Sequence, residues 1–94
     1  MKAYGAYRGA RDLERIAAGE RVAYGRLAAV REELRVDERR LAWSAIVRVR
    51  REPSRADCMT IVIETRSGQA VRVPAREVPD HPAFMHVCGA KLRR

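Results

Sequence analysis

Aromatic side chains are scarce in this chain of 94 residues: Tyr4, Tyr7, Tyr24, Trp43 and Phe84 are all of them. Proteins that hold single-stranded nucleic acid stack bases on aromatics exposed on a sheet. The three clearest strand segments described below carry none, apart from Trp43 just ahead of one. Trp43 and Phe84 are therefore read as core residues. Cysteine is limited to Cys58 and Cys88, too few for a disulfide framework and without zinc-type spacing in their flanks. Both read as buried thiols, with a single disulfide joining them as the alternative. His81 and His86 are the only histidines. His81 to His86 is i, i+5 and His86 to Cys88 is i, i+2, so on a helix they point to different sides and do not converge on a tetrahedral metal. No metal and no cofactor are expected.

Long apolar runs are also missing. Nothing approaches the ~18 residues of a membrane span. The N-terminal segment reaches Arg11 and Asp12 without an apolar signal core, so a soluble, cytoplasmic chain is expected. The six glycines are scattered, and none opens a phosphate-cradling G-K-[ST] loop. Carboxylates pair in sequence as Glu32-Glu33 and Asp37-Glu38, each pair flanked by Arg. General acid–base work needs such groups in a low-dielectric cleft, whereas turns flanked by Arg give solvated ion pairs. Cys58 has no His near it in sequence, so no nucleophile–base pair is legible. No catalytic residue is assigned, and an enzyme is not expected.

What is present is a core and an excess of arginine. Apolar residues make up 47% and charged residues 34%, the mix of one globular domain spanning 1–94. A chain of this size buries roughly two-thirds of its unfolded surface, enough for one core without staples. The net charge is +8, and all but two of the 20 basic residues are Arg. That balance suits an anionic partner such as nucleic acid, anionic lipid or an acidic protein, and equally a solvated surface.

Residues 1–8 read as a loose arm. Gly9 to Ala18 reads as a short helix, with Leu13, Ile16 and Ala17 on one face, Asp12 and Glu14 in the first turn and Gly19 as left-handed cap. Residues 20–42 support two readings. Propensity favours a helix from Leu27 to Leu34. Alternation of Val22, Tyr24, Ala28 and Val30, with Gly25 at a bulge or close backbone contact, favours strands turning near Glu32-Glu33 and Asp37-Glu38. The second half is clearer. Ala45, Val47 and Val49 alternate with Ile46, Arg48 and Arg50. Met59, Ile61 and Ile63 alternate with Thr60, Val62 and Glu64. A turn at Arg66-Ser67-Gly68-Gln69 leads to Val71 and Val73, and Pro74 stops that strand. Pro82 suits the start of a last helix capped by Asp80 or His81, whose stripe is Phe84, Val87, Cys88 and Leu92. The expected core joins Trp43, Ile61, Ile63, Val71, Val73, Phe84 and Leu92.

One constellation stands out for binding. Arg48, Arg50 and Arg72 point outward from strands, Arg51, Arg55, Arg66 and Arg76 sit in adjoining turns, and Lys91, Arg93 and Arg94 are the last basic residues of the sequence. Facing like charges destabilise a sheet unless Glu64 or a bound anion relieves them. These seven arginines are the candidate surface for an anion or a partner. The alternative is a solvated face helped by Glu52 and Glu64.

The stretch from Val30 through Leu34, Val36 and Leu41 to Trp43-Ser44-Ala45-Ile46 resembles the bacterial PH-like (pleckstrin-homology-like) domains, in which a W-x-x-I step opens a central strand. Ser67-Gly68 at a hairpin turn, Val73-Pro74, Val78-Pro79 and Phe84 fall in the same order over residues 20–92. The resemblance implies strands for residues 27–41, and a C-terminal helix plugging one end of a curved sheet. That family has about seven strands, of which five at most are countable here, so a partly opened or dimer-completed sheet is implied. The expected fold is α+β, mainly β: a curved antiparallel sheet or partial barrel, a short N-terminal helix and a C-terminal helix packed on the sheet. The resemblance implies a non-catalytic interaction or assembly module that binds protein or itself. Nucleic acid on the Arg-rich face is the second reading.

Overall fold

The computed structural model describes residues 2–54 and 58–93. The order is α1 (Lys2–Ala17), β1 (Val22–Tyr24), β2 (Leu27–Ala29), β3 (Glu33–Val36), β4 (Arg39–Ala42), a 3-10 turn (Trp43–Ala45), β5 (Ile46–Pro53), β6 (Met59–Thr65), β7 (Ala70–Pro74), a second 3-10 turn (Ala75–Glu77) and α2 (His81–Leu92). The fold is α+β. Strands β1 to β4 form one antiparallel sheet in sequence order, and β5 to β7 form another. The two sheets are not closed into a barrel.

Strands, not a helix, occupy residues 27–41. Two tight turns decide this against propensity. Tyr24 pairs with Leu27 around Gly25-Arg26, and Val36 pairs with Arg39 around Asp37-Glu38. Each turn needs positive φ at its first central residue, supplied by Gly25 (66°) and Asp37 (54°). Gly and Asp adopt that conformation most readily. Gly25 is also required by space, since a Cβ there would lie 2.3 Å from the carbonyl oxygen of Glu77. The strand count is seven instead of five, because the short strands β1 to β4 expose only three or four residues each to the alternation test.

Three other expectations are corrected. Helix α1 starts at Lys2, so the segment expected as a loose arm is helical from there. It ends as expected, with Gly19 at φ 93° and the Schellman pair Gly19 N–H to Ile16 O and Glu20 N–H to Arg15 O. Asp12 does not serve the helix dipole. Gly9, Asp12 and Ile16 form the buried stripe, and Asp12 is 1% exposed. Its Oδ2 accepts from the Tyr24 hydroxyl at 2.6 Å. Val47, expected inside, is 54% exposed. The ladder shifts between Ile46 and Arg48, a β-bulge that pushes Val47 out and lets Ile46 face Thr65 on the core side.

The core joins both sheets and both helices. Trp43, Ile61, Ile63, Val71, Val73 and Phe84 are buried together as expected, with Leu92 only half-buried at the rim. The Phe84 ring meets Tyr24 edge-on at 5.3 Å between centroids. Helix α2 packs on α1 as well as on β5. The helices meet at Gly9, where a Cβ would lie 2.7 Å from the Cβ of His86. Asp80 caps α2 with αL backbone, but its side chain makes no cap hydrogen bond. The Asp80 carboxylate instead pairs with Arg8 at 3.0 Å, tying the start of α2 to α1.

These contacts set expected stabilities. Phe84→Ala is expected to cost roughly 3–5 kcal/mol. Tyr24→Phe strips a buried carboxylate of its hydroxyl donor and is expected to cost about 1–3 kcal/mol. Arg8 Nε remains 3.8 Å from Asp12 Oδ1, and adding Asp12→Leu to Tyr24→Phe removes the buried carboxylate that has lost its hydroxyl donor, so the double variant should be more stable than the two single losses predict. Chemical denaturation of the four proteins checks this. Additive losses would show that Asp12 and Tyr24 do not act as a pair.

Candidate functional site

The outer face of the β5–β7 sheet carries the expected arginines in a regular array. Arg48 faces Glu64, Arg50 faces Val62 and Glu52 faces Thr60 across β5 and β6. On the far side Val62 faces Arg72. Arg50 Nε bonds Glu64 at 2.6 Å and its Nη1 bonds Glu52 at 2.7 Å. Arg48 reaches Glu64 at 3.1 Å, and Arg72 reaches over β6 to Glu52 at 3.0 Å. The aliphatic stems of Arg50 and Arg72 flank Val62, which is fully buried although it lies on the outer face. Three arginines and two glutamates leave one net positive charge on this face. An anion arriving here must displace carboxylates already bound.

The other candidate arginines do not join that array. Arg51 is a strand residue of β5, not a turn residue, and pairs with Ile61 on the opposite face, at the exposed end of the sheet. Arg66 lies in the β6–β7 turn, where its Nε donates to the Ser44 carbonyl at 2.6 Å. Arg76 lies in the second 3-10 turn, beside a shallow cavity of about 300 Å³ lined with Cys58, Met59, Ala75 and His81. Arg55 lies outside the described residues.

A different surface gathers cations held on backbone carbonyls. At the end of the molecule where α1 and α2 both terminate, an open depression of about 450 Å³ is lined by Arg31, Glu32, Trp43, Ser44, Ala90, Lys91 and Arg93. It shares Trp43 and Ser44 with a second depression, of about 200 Å³, that reaches Val47, Arg66 and Leu92. Arg31 donates to the Ala17 carbonyl at 2.6 Å and Lys91 to the Arg31 carbonyl at 2.8 Å. Lys91 also sits over the Trp43 ring at 5.8 Å, and the indole N–H is spent on the Val30 carbonyl at 2.9 Å. Carbonyl acceptors fix these cations in place and leave their formal charge intact, unlike the glutamates on the sheet face. The sequence gives no spacing that links Arg31 to Lys91, because the contact spans 60 residues.

The cysteines divide. Cys88 is buried as expected, and burial pushes its thiol well above the ordinary range. Cys58 is exposed, a correction to its reading as a core thiol, because it precedes β6 and lies outside the core alternation. Both thiols are free. Among the described residues, no three His, Cys, Asp or Glu side chains cluster as a metal site. Among the same residues, no helix is long and apolar enough to cross a membrane. No family model, curated protein or solved structure matches this chain.

The ion pairs predict an acid limb of stability. Hydrogen bonds from Arg50 and then Arg48 hold the Glu64 carboxyl below its usual value, and those from Arg50 and Arg72 do the same for Glu52. Arg40 and Arg35 lower Glu33, and Arg26 lowers Asp37. A carboxyl depressed in the folded state stabilises the fold above its unfolded pKa, about 4, and loses that contribution as pH falls through the folded value. The melting temperature is thus expected to hold from neutral pH to about 5 and to drop below about 4. Glu64→Gln should shrink that drop, and added salt should shrink it further because the pairs are exposed. An acid limb of the same size in Glu64→Gln would place its origin elsewhere.

Proposed function

We propose that this chain is a non-catalytic interaction module of PH-like type, cytoplasmic, binding protein or itself. The observation that carries the reading is the pair of open antiparallel sheets, four and three strands, followed by one helix that packs on β5 and closes the core. Seven strands and a C-terminal helix are what the resemblance to PH-like domains implies, and open sheets leave strand edges for a partner. Strand β4 pairs with β3 alone among the described residues, and its residues are exposed apart from half-buried Leu41. Such an edge is a template for a partner strand. Arg39 and Arg40 on it discourage indiscriminate pairing while leaving acidic partners favoured. The nucleic-acid reading has less support, because Glu52 and Glu64 occupy the arginine face on which it rests.

Light scattering over a hundredfold dilution series, with affinity capture on the immobilised chain, tests this reading. The expected outcome is a mass that rises with concentration, or a protein retained in stoichiometric amount. A chain that stays monomeric and retains only nucleic acid, with binding that falls steeply in salt, would replace it with the nucleic-acid reading.

A further inference from the structure

We propose that the groove running from Arg31 and Lys91 past Ser44 to Arg66 and Val47 receives an acidic peptide segment that also carries apolar side chains. The inference rests on the interaction-module reading and names the site and the partner chemistry.

Charge comes first. Arg31, Arg66, Lys91 and Arg93 line the groove, and Glu32 is the one acidic side chain among its lining residues. Two helix C-termini also point here, and each carries roughly half a negative charge. They offset part of the excess carried by the lining side chains. Three of the cations are oriented by backbone carbonyls: Ala17 for Arg31, Ser44 for Arg66 and Arg31 for Lys91. Arg66 spends Nε on its carbonyl, and the two terminal nitrogens of that guanidinium remain the paired donors that a carboxylate accepts in parallel.

The apolar part selects the class of anion. Val47, ejected by the bulge, is 54% exposed, and Leu92 is half-buried beside it on the same wall. A peptide brings an apolar side chain to Val47 and Leu92 together with carboxylates to the arginines. Single-stranded nucleic acid would call for an aromatic face on which its bases stack. The ring available here, Trp43, is 3% exposed and already covered by Lys91. The proposed occupant is a segment of another protein in which carboxylates alternate with apolar side chains.

Fluorescence anisotropy tests the proposal with a labelled peptide of alternating Glu and Leu, a Glu–Ser peptide, and single-stranded and duplex oligonucleotides. The Glu–Leu peptide should bind saturably, and the Glu–Ser peptide more weakly. Arg66→Glu with Arg93→Glu should weaken the Glu–Leu peptide by tenfold or more, and Val47→Asp should weaken it as well. Arg48→Glu with Arg50→Glu, on the sheet face, should leave it unchanged. Circular dichroism melts of each variant separate lost binding from lost fold. Equal binding by wild type and the Arg66, Arg93 variant would overturn the site. Oligonucleotides binding more tightly than the peptide, and lost in that same variant, would overturn the partner class. Absence of peptide binding from a chain that still self-associates or retains a protein overturns this inference alone. Absence of peptide binding together with failure of those assays overturns the module reading too.

Discussion

The hydrogen bond from the Tyr24 hydroxyl to Asp12 is the contact on which the architecture turns. It places the one buried charged side chain among the described residues against a phenol from the first hairpin. A carboxylate 1% exposed is costly to desolvate, and the short hydroxyl donor on Oδ2, with Arg8 Nε 3.8 Å from Oδ1, makes it tolerable. Tyr24 is itself fixed from two other directions. Its ring meets Phe84 of α2, and the next residue, Gly25, presses on the Glu77 carbonyl. One side chain thus sets the distance between α1, the β1–β2 hairpin and α2. Burial and then the hydrogen bond to Asp12 raise the Tyr24 pKa, so the stability this phenol contributes is fully present below its unfolded value, about 10, and is lost as pH rises through its higher folded value.

A second network holds the periphery to this centre. Arg26 follows Gly25 in the same turn and donates to both oxygens of Asp37 and to Glu77. It therefore joins the two hairpins of the first sheet to the turn that leads into α2. These groups are about half exposed, so their value lies in geometry more than in energy. The protein uses arginine in two distinct ways. Arg26, Arg48, Arg50 and Arg72 are neutralised by carboxylates and act as stays between strands, whereas Arg31 and Arg66 are anchored on carbonyls. The distinction is invisible to net charge, and it is why an overall +8 says little about where an anion would sit.

Much of the fold can be read from residue patterns, and the failures have definite causes. The β6–β7 hairpin and α2 are legible because β-branched alternation, Gly68 and Pro82 all agree. The strands of the first sheet are legible only through Gly25 and Asp37, since Leu27 to Leu41 also satisfies helical spacing. Asp12 was misplaced because an acid near a helix start reads as a dipole partner, yet it falls three residues after Gly9 and four before Ile16, on the buried stripe. Three of the seven candidate arginines are legible as one face: period-2 placement puts Arg48, Arg50 and Arg72 on one side, with Glu52 and Glu64 among them. Of the groove, Arg66, Lys91 and Arg93 are legible as basic residues but their assembly with Arg31 is not, because residues 31, 66 and 91 come together only in the folded chain.

The bulge in β5 shows how core and surface are coupled here. Val49 pairs with Ile63, and an unbroken ladder would continue with Val47 opposite Thr65 on the core side and Ile46 outward. Inserting one extra residue gives the inward place to Ile46, which is larger and directly follows the Trp43–Ala45 turn. That turn is thereby held against the core, with Trp43 buried above it. Its outward carbonyls then face the β6–β7 turn: Ala45 O accepts from the Arg66 backbone N–H at 2.9 Å, and Ser44 O from the Arg66 side chain. The same insertion exposes Val47 beside them. A single shift of register, made to fit a bulkier side chain into the core, therefore orients a guanidinium and presents an apolar side chain on the same wall.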